Sequence, residues 1–204
     1  MTSTPPRIAE LFGLPRTGKT TISRILYKSL RESDFHPYIV KERAAVCPVQ
    51  DKLDPLFNLW TATSFLKEYT EAWNLEYDVV IADRGLTDAI VWIEALKEHS
   101  SSEMITETVR GIFNSSLVQS YLACTYFLDA PINVVLERER RLFQRTRGGR
   151  ILNKSTLTSY RQAFDKVMDF AFMPSVLCID TASKSIKETA EKILVDLKIK
   201  LSNC

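Results

Sequence analysis

Hydrophobic and polar positions along the chain follow two alternating patterns. Short apolar runs are separated by longer stretches in which apolar residues recur every three or four positions. The runs lie in IAELF (8–12), PYIVKE (37–42), YDVVIAD (77–83), TYFLDA (125–130) and VLCID (176–180), and each predicts a strand. Within 77–83 and 125–130 the apolar residues are nearly unbroken, as strands buried on both faces require. The helical stretches are 19–32, the segment opened by Asp54-Pro55, 86–99, 103–120, INVVLERERRLFQRT from Ile132, KSTLTSYRQAFDKVMDFAF from Lys154, and the amphipathic segment SIKETAEKILVDLKIKL from Ser185. Strands alternating with helices predict a parallel sheet covered on both faces. No internal repeat or linker divides the chain, so residues 1–204 read as one α/β domain.

Composition narrows the class. A hydrophobic content of 45% in 204 residues supports a full core, and a net charge of +2 gives no global pull toward nucleic acid or a membrane surface. Cys47, Cys124, Cys178 and Cys204 are far apart and form no CxxC pair, so buried thiols are expected rather than disulfides or zinc. No apolar leader or transmembrane-length run is present, and the expected location is cytoplasmic.

The chemistry begins at GLPRTGKTT, residues 13–21, which matches G-x-x-x-x-G-K-[ST] directly after the first strand. Gly13 and Gly18 let backbone N–H groups surround phosphate oxygens. Lys19 supplies a cation for the β- and γ-phosphates, Thr20 a hydroxyl for magnesium, and the following helix points its N-terminus at the ligand. Thr17 and Thr21 complete the expected cradle. A second signal is VVIADRG (79–85), which puts Asp83 at the carboxyl end of a buried strand, where it can share a magnesium ion with Thr20; as an alternative, Asp83 caps the next helix. Arg84 follows, with a planar fork suited to a phosphate or acceptor oxygen. The third signal is ERERRLFQRTRGGR, with Arg138, Arg140, Arg141, Arg145, Arg147 and Arg150 and a break at Gly148-Gly149. Arginines that close over a transferring phosphoryl group can stabilise its charge and exclude water, whereas a solvated basic face is the plainer alternative.

These residues together resemble the nucleoside monophosphate kinases, most closely thymidylate kinases, through nearly the whole chain. The resemblance implies a three-layer P-loop kinase fold, with a five-stranded parallel sheet and an arginine-rich lid over roughly 138–154. It implies ATP as donor with Mg2+. Arg16 and Lys19 would contact the transferring group, Arg84 would bind the acceptor phosphate, and Arg138, Arg145, Arg147 and Arg150 would act from the lid. Thr181, Ala182 and Ser183 would lie along adenine. The chain departs from the family pattern at Pro15, where an acid is usual, at Lys41-Glu42-Arg43 in place of a REP tripeptide, and at Gly85, where Tyr is common.

The acceptor divides the expectations. A small phosphorylated acceptor, a nucleotide, needs cations around it, and the arginine count favours that reading. A hydroxyl acceptor, as in the related deoxynucleoside kinases, needs a base, and Glu42 is placed for that role unless it pairs with Arg43 or the lid. Arg43 is counted with the acceptor site. Phe57, Trp60, Phe65 and Tyr69 lie on the helix expected to line the acceptor pocket, with Trp60 or Phe65 the expected stacking residue. A GTPase is disfavoured because the strand ends in FLDAP rather than NKxD, and a ring ATPase because no room remains for a helical lid domain. A non-catalytic nucleotide-binding module stays open, and so does a homodimer. Membrane and nucleic-acid partners are not expected.

Overall fold

In the computed structural model the described residues are 6–44, 46–52, 54–96, 103–115, 122–143, 153–169 and 176–202. The strands are β1 (Arg7–Gly13), β2 (Pro37–Val40), β3 (Val79–Asp83), β4 (Leu122–Asp129) and β5 (Val176–Asp180). All pair in parallel, in the order β2-β3-β1-β4-β5. The helices are α1 (Lys19–Arg31), α2 (Pro55–Asn74), α3 (Leu86–Ala95), α4 (Glu103–Phe113), α5 (Ile132–Phe143), α6 (Lys154–Met168) and α7 (Ile186–Ser202).

Strand side chains alternate between faces, so the central strands must be apolar on both. On one face Ile8, Phe12, Val80, Ala82 and Phe127 pack with residues of α2, α3, α4 and α6. On the other, Ala9, Leu11, Val79, Ile81, Tyr126 and Leu128 pack with Ile22 and Leu26 of α1 and Ile193 and Leu197 of α7. Alternation puts Glu10 on the face of Ile8 and Phe12, and it is buried there.

β1 sits at the centre, with Leu11 beside Asp83 and Gly13 beside Leu128. Chain progression reverses direction at β1, which opens a crevice at the carboxyl edge between β3 and β4. Several boundaries differ from the sequence pattern. β2 ends at Val40, so Lys41-Glu42-Arg43 lies in the loop beyond it, and β4 begins at Leu122 rather than Thr125. β5 is an edge strand, and for that reason Cys178 is exposed rather than buried; Cys47, Cys124 and Cys178 are free thiols. No helix among the described residues is long and apolar enough to cross a membrane.

Candidate active site

The loop after β1 is built around two positions that require glycine. Gly13 has φ 125°, and a Cβ there would stand 2.3 Å from the Leu128 carbonyl oxygen of β4. Gly18, at φ 94°, opens α1, and a Cβ there would meet Ile186 Cδ1 at 2.6 Å. No side chain caps α1, so the helix turns an uncapped N-terminus toward the crevice. Arg16 and Arg84 are non-glycine residues in the left-handed region, at φ 62° and 68°, and such strain collects at ligand sites.

Lys19 is buried rather than standing at the surface of the loop, because its side chain folds back inside it. Nζ donates to the carbonyl oxygens of Gly13 (2.9 Å) and Leu14 (2.7 Å). Burial, helped by the nearby charge of Arg84, pushes its pKa down to about 7.

Thr20 Oγ1 donates to Asp83 Oδ2 at 2.6 Å. Asp83 does not cap α3, whose first turn is held otherwise. Its second oxygen, Oδ1, is buried with no hydrogen-bond partner among the described residues, and burial raises the pKa of the Asp83 carboxyl. An orphaned carboxylate oxygen beside a hydroxyl is an all-oxygen, hard donor pair, and it fits magnesium that takes its remaining ligands from phosphates and water. No cluster of three or more acidic, histidine or cysteine side chains among the described residues could hold a metal by itself.

The cap of α3 is Glu10. From the middle of β1 its carboxylate accepts from the backbone N–H groups of Gly85 (3.0 Å), Thr87 (3.1 Å) and Asp88 (2.9 Å). Desolvation outweighs these bonds and raises its pKa to about 7. Arg84 donates through Nη1 to Asp88 Oδ2 at 2.7 Å and ion-pairs through Nε with Glu42 Oε1 at 2.9 Å. Glu42 therefore pairs with Arg84, not with Arg43, which pairs with Glu68 of α2. In the loop after β1, Arg16 pairs with Glu139 of α5. Arg138 donates to the Arg16 carbonyl oxygen (3.1 Å) and to Thr181 Oγ1 (3.2 Å) and O (2.7 Å).

These groups surround a cavity of about 740 Å3. One side is Pro15 to Thr21 with Arg138, Arg141, Leu142 and Ile186. The other is Val40 to Ala44 with Phe57, Asn58, Thr61, Phe65, Arg84, Asp88 and Trp92. No protein-family model and no curated protein matches the sequence. Solved structures do match. A deoxyadenosine kinase from M. mycoides, with dCMP product and a flexible dCDP bound, has TM-score 0.66 and 18% identity over 94% of this chain and 99% of that one. Thymidylate kinase from Candida albicans has TM-score 0.65 and 15% identity over 97% and 94%. The deoxyadenosine kinase with dATP bound has TM-score 0.60 and 18% identity over 94% and 99%. The fold is that of the P-loop nucleotide kinases.

Within this kinase fold, most residues expected from the sequence converge on one cavity: Arg16, Thr17, Gly18, Lys19, Thr20, Thr21, Glu42, Arg43, Phe65, Arg84 and Arg138 all line it. Gly13 and Asp83 do not line it, but each accepts a hydrogen bond from a residue that does, Lys19 and Thr20 respectively. Trp60 does not line it. Phe57, Asn58, Thr61 and Phe65 share one face of α2, and at about 100° per residue Trp60 falls outside that arc. Trp92 of α3 lines the cavity instead. Tyr69 turns away and donates to the Pro6 carbonyl oxygen. Thr181, Ala182 and Ser183 do not line it either. Thr181 is buried and engaged with Arg138 and Asp129, and the Ala182 N–H donates to Asp180 Oδ1. Of the lid expected over 138–154, residues 138–143 belong to α5 and 153–154 to the start of α6. Arg145, Arg147 and Arg150 lie outside the described residues. Sequence reading missed Glu10 and Asp88; the available signals were an acid inside an apolar strand and an acid four residues after Arg84.

Proposed function

We propose that the protein transfers the γ-phosphoryl group of Mg·ATP to a small nucleobase-bearing acceptor. The observation that carries this reading is a continuous cavity joining the loop after β1 to a distinct far wall where Glu42 and Arg84 pair. Mg2+ held by Thr20 and Asp83 would neutralise charge on the donor phosphates. The far wall combines aromatic rings with Asn58, which is 6% exposed and makes no side-chain hydrogen bond among the described residues. A buried amide with a free donor and acceptor suits the edge of a base between such rings.

The receiving group is best read as a hydroxyl. Arg84 is already balanced by two carboxylates, Glu42 and Asp88, which weakens its hold on a dianionic phosphate. Glu42 is half-exposed to the cavity, where a base for a hydroxyl proton is needed. The acceptor alcohol would lose its proton to Glu42 as its oxygen bonds to phosphorus and ADP leaves. A monophosphate acceptor, favoured by arginine density in the sequence and by the thymidylate kinase fold match, keeps one supporting observation: Lys41, Arg43 and Lys52 line the same cavity.

The test is product analysis of the purified protein with Mg·ATP and a panel of nucleosides and nucleoside monophosphates. A phosphorylated nucleoside supports the hydroxyl reading, and a diphosphate product supports the second. ATP binding without transfer to any acceptor would leave a nucleotide-binding module.

A further inference from the structure

Arg84 is held by two carboxylates in unequal ways. With Asp88 it forms an aligned hydrogen bond at 2.7 Å, and Asp88 is buried. With Glu42 it forms an ion pair at 2.9 Å in which Nε finds no aligned hydrogen-bond acceptor, and the Glu42 side chain is 40% exposed. Asp88 is fixed from several directions. Its Oδ1 accepts from Tyr160 OH of α6 at 2.7 Å and lies 3.5 Å from the Gly13 N–H, while its own N–H donates to Glu10. Tyr160 is fully buried and packs its ring on Trp92, with centroids 4.6 Å apart.

We propose that Asp88, oriented by Tyr160, is the positioning residue that fixes Arg84 at the acceptor end of the site. The inference rests on reading this cavity as a phosphotransferase site. Asp88 supplies the permanent countercharge and a hydrogen bond of fixed direction, and the charged partner makes that bond one of the stronger kind. Glu42, held loosely, is then free to leave Arg84 and face the acceptor while the guanidinium stays in place. Because Tyr160 belongs to α6, the acceptor wall and that helix are joined through one hydroxyl.

Asp88→Asn keeps the shape and the ability to accept from Tyr160 but removes the charge. It should lower kcat with the acceptor by at least about tenfold, the scale of one charge-assisted hydrogen bond, while KM for ATP stays within about twofold. Tyr160→Phe, which keeps the ring packing and protects the test against misfolding, should act in the same direction to a smaller extent. An activity-independent readout uses the 15N–1H signal of the Arg84 Nη1 group, which donates to Asp88, assigned by its loss in Arg84→Lys. It should remain slowly exchanging in Glu42→Gln and be lost to fast exchange in Asp88→Asn. Wild-type kcat in Asp88→Asn, or an Arg84 signal protected in Asp88→Asn and lost in Glu42→Gln, overturns the assignment. Absence of transfer to any acceptor by the wild-type protein counts against the kinase reading, and the signal of Arg84 still decides the role of Asp88.

Discussion

Replacing Glu42 with Gln separates the two acceptor chemistries, because its two effects differ in size. Glu42 contacts Arg84 through an ion pair whose carboxylate side chain is 40% exposed. Arg84 is only 14% exposed but keeps Asp88 as a second countercharge, so losing the half-exposed Glu42 partner should cost on the order of 1 kcal/mol and change any rate constant by about fivefold. Losing a general base costs roughly a hundredfold or more in turnover. With a hydroxyl acceptor the larger loss applies: kcat at saturating Mg·ATP should fall by about two orders of magnitude with acceptor KM little changed. The deficit should shrink as pH rises, since the hydroxyl then needs less help to lose its proton. With a monophosphate acceptor the nucleophile is already ionised. Glu42→Gln should then leave kcat within about fivefold, while Arg84→Ala, losing a charge-assisted contact of roughly 1.5–3 kcal/mol, raises acceptor KM. Steady-state kinetics of both variants between about pH 6 and pH 9 makes the measurement. A pH-independent kcat within about fivefold of wild type in Glu42→Gln would refute the base assignment.

Three further outcomes are expected. Asp83→Asn removes the charge from the oxygen that lacks a partner, so turnover should fall on the order of a hundredfold and half-saturating magnesium should rise; an unchanged magnesium titration at saturating ATP would exclude Asp83 as a ligand. Gly18→Ala forces a Cβ against Ile186 Cδ1 at a left-handed φ and should weaken ATP binding and cost roughly 1–3 kcal/mol of stability. Ile186→Ala should restore part of that loss, since the obstacle is a flexible side-chain tip, whereas Gly13→Ala meets the backbone of Leu128 and no second change relieves it. Glu10, with its pKa raised from 4.5 to about 7, holds a proton in the folded chain that the unfolded chain has released, so its contribution to stability falls as pH rises through that window. Denaturation at about pH 5 and pH 8 should therefore move the balance between wild type and Glu10→Gln by roughly 3 kcal/mol in favour of Gln at the higher pH, and a constant difference would contradict the shift.

What the amino-acid sequence determined by itself is whatever depends on local spacing. The loop from Gly13 to Thr21 is contiguous, so its match to the phosphate-loop spacing could be seen without coordinates, and Asp83-Arg84 at the end of an apolar run could be assigned to the carboxyl edge of the sheet. Strand and helix alternation likewise follows from two periods that a single stretch displays. The partners of those residues are another matter, because they come from distant segments. Glu10 looks like an interruption in IAELF until β1 lies beside β3 and the acid meets the start of α3. Asp88 looks like an ordinary helix residue until Tyr160, 72 positions later, donates to it. Trp60 and Trp92 are equivalent as letters, and only the rotation of α2 and α3 about their axes put one outside the cavity and the other on its wall. Lys19 reads from the sequence as a cation at the surface of the loop, but its carbonyl partners exist only once the loop closes around it. Long-range pairing is set by the packing of whole elements against one sheet, and a linear pattern contains no record of which face a neighbour will cover.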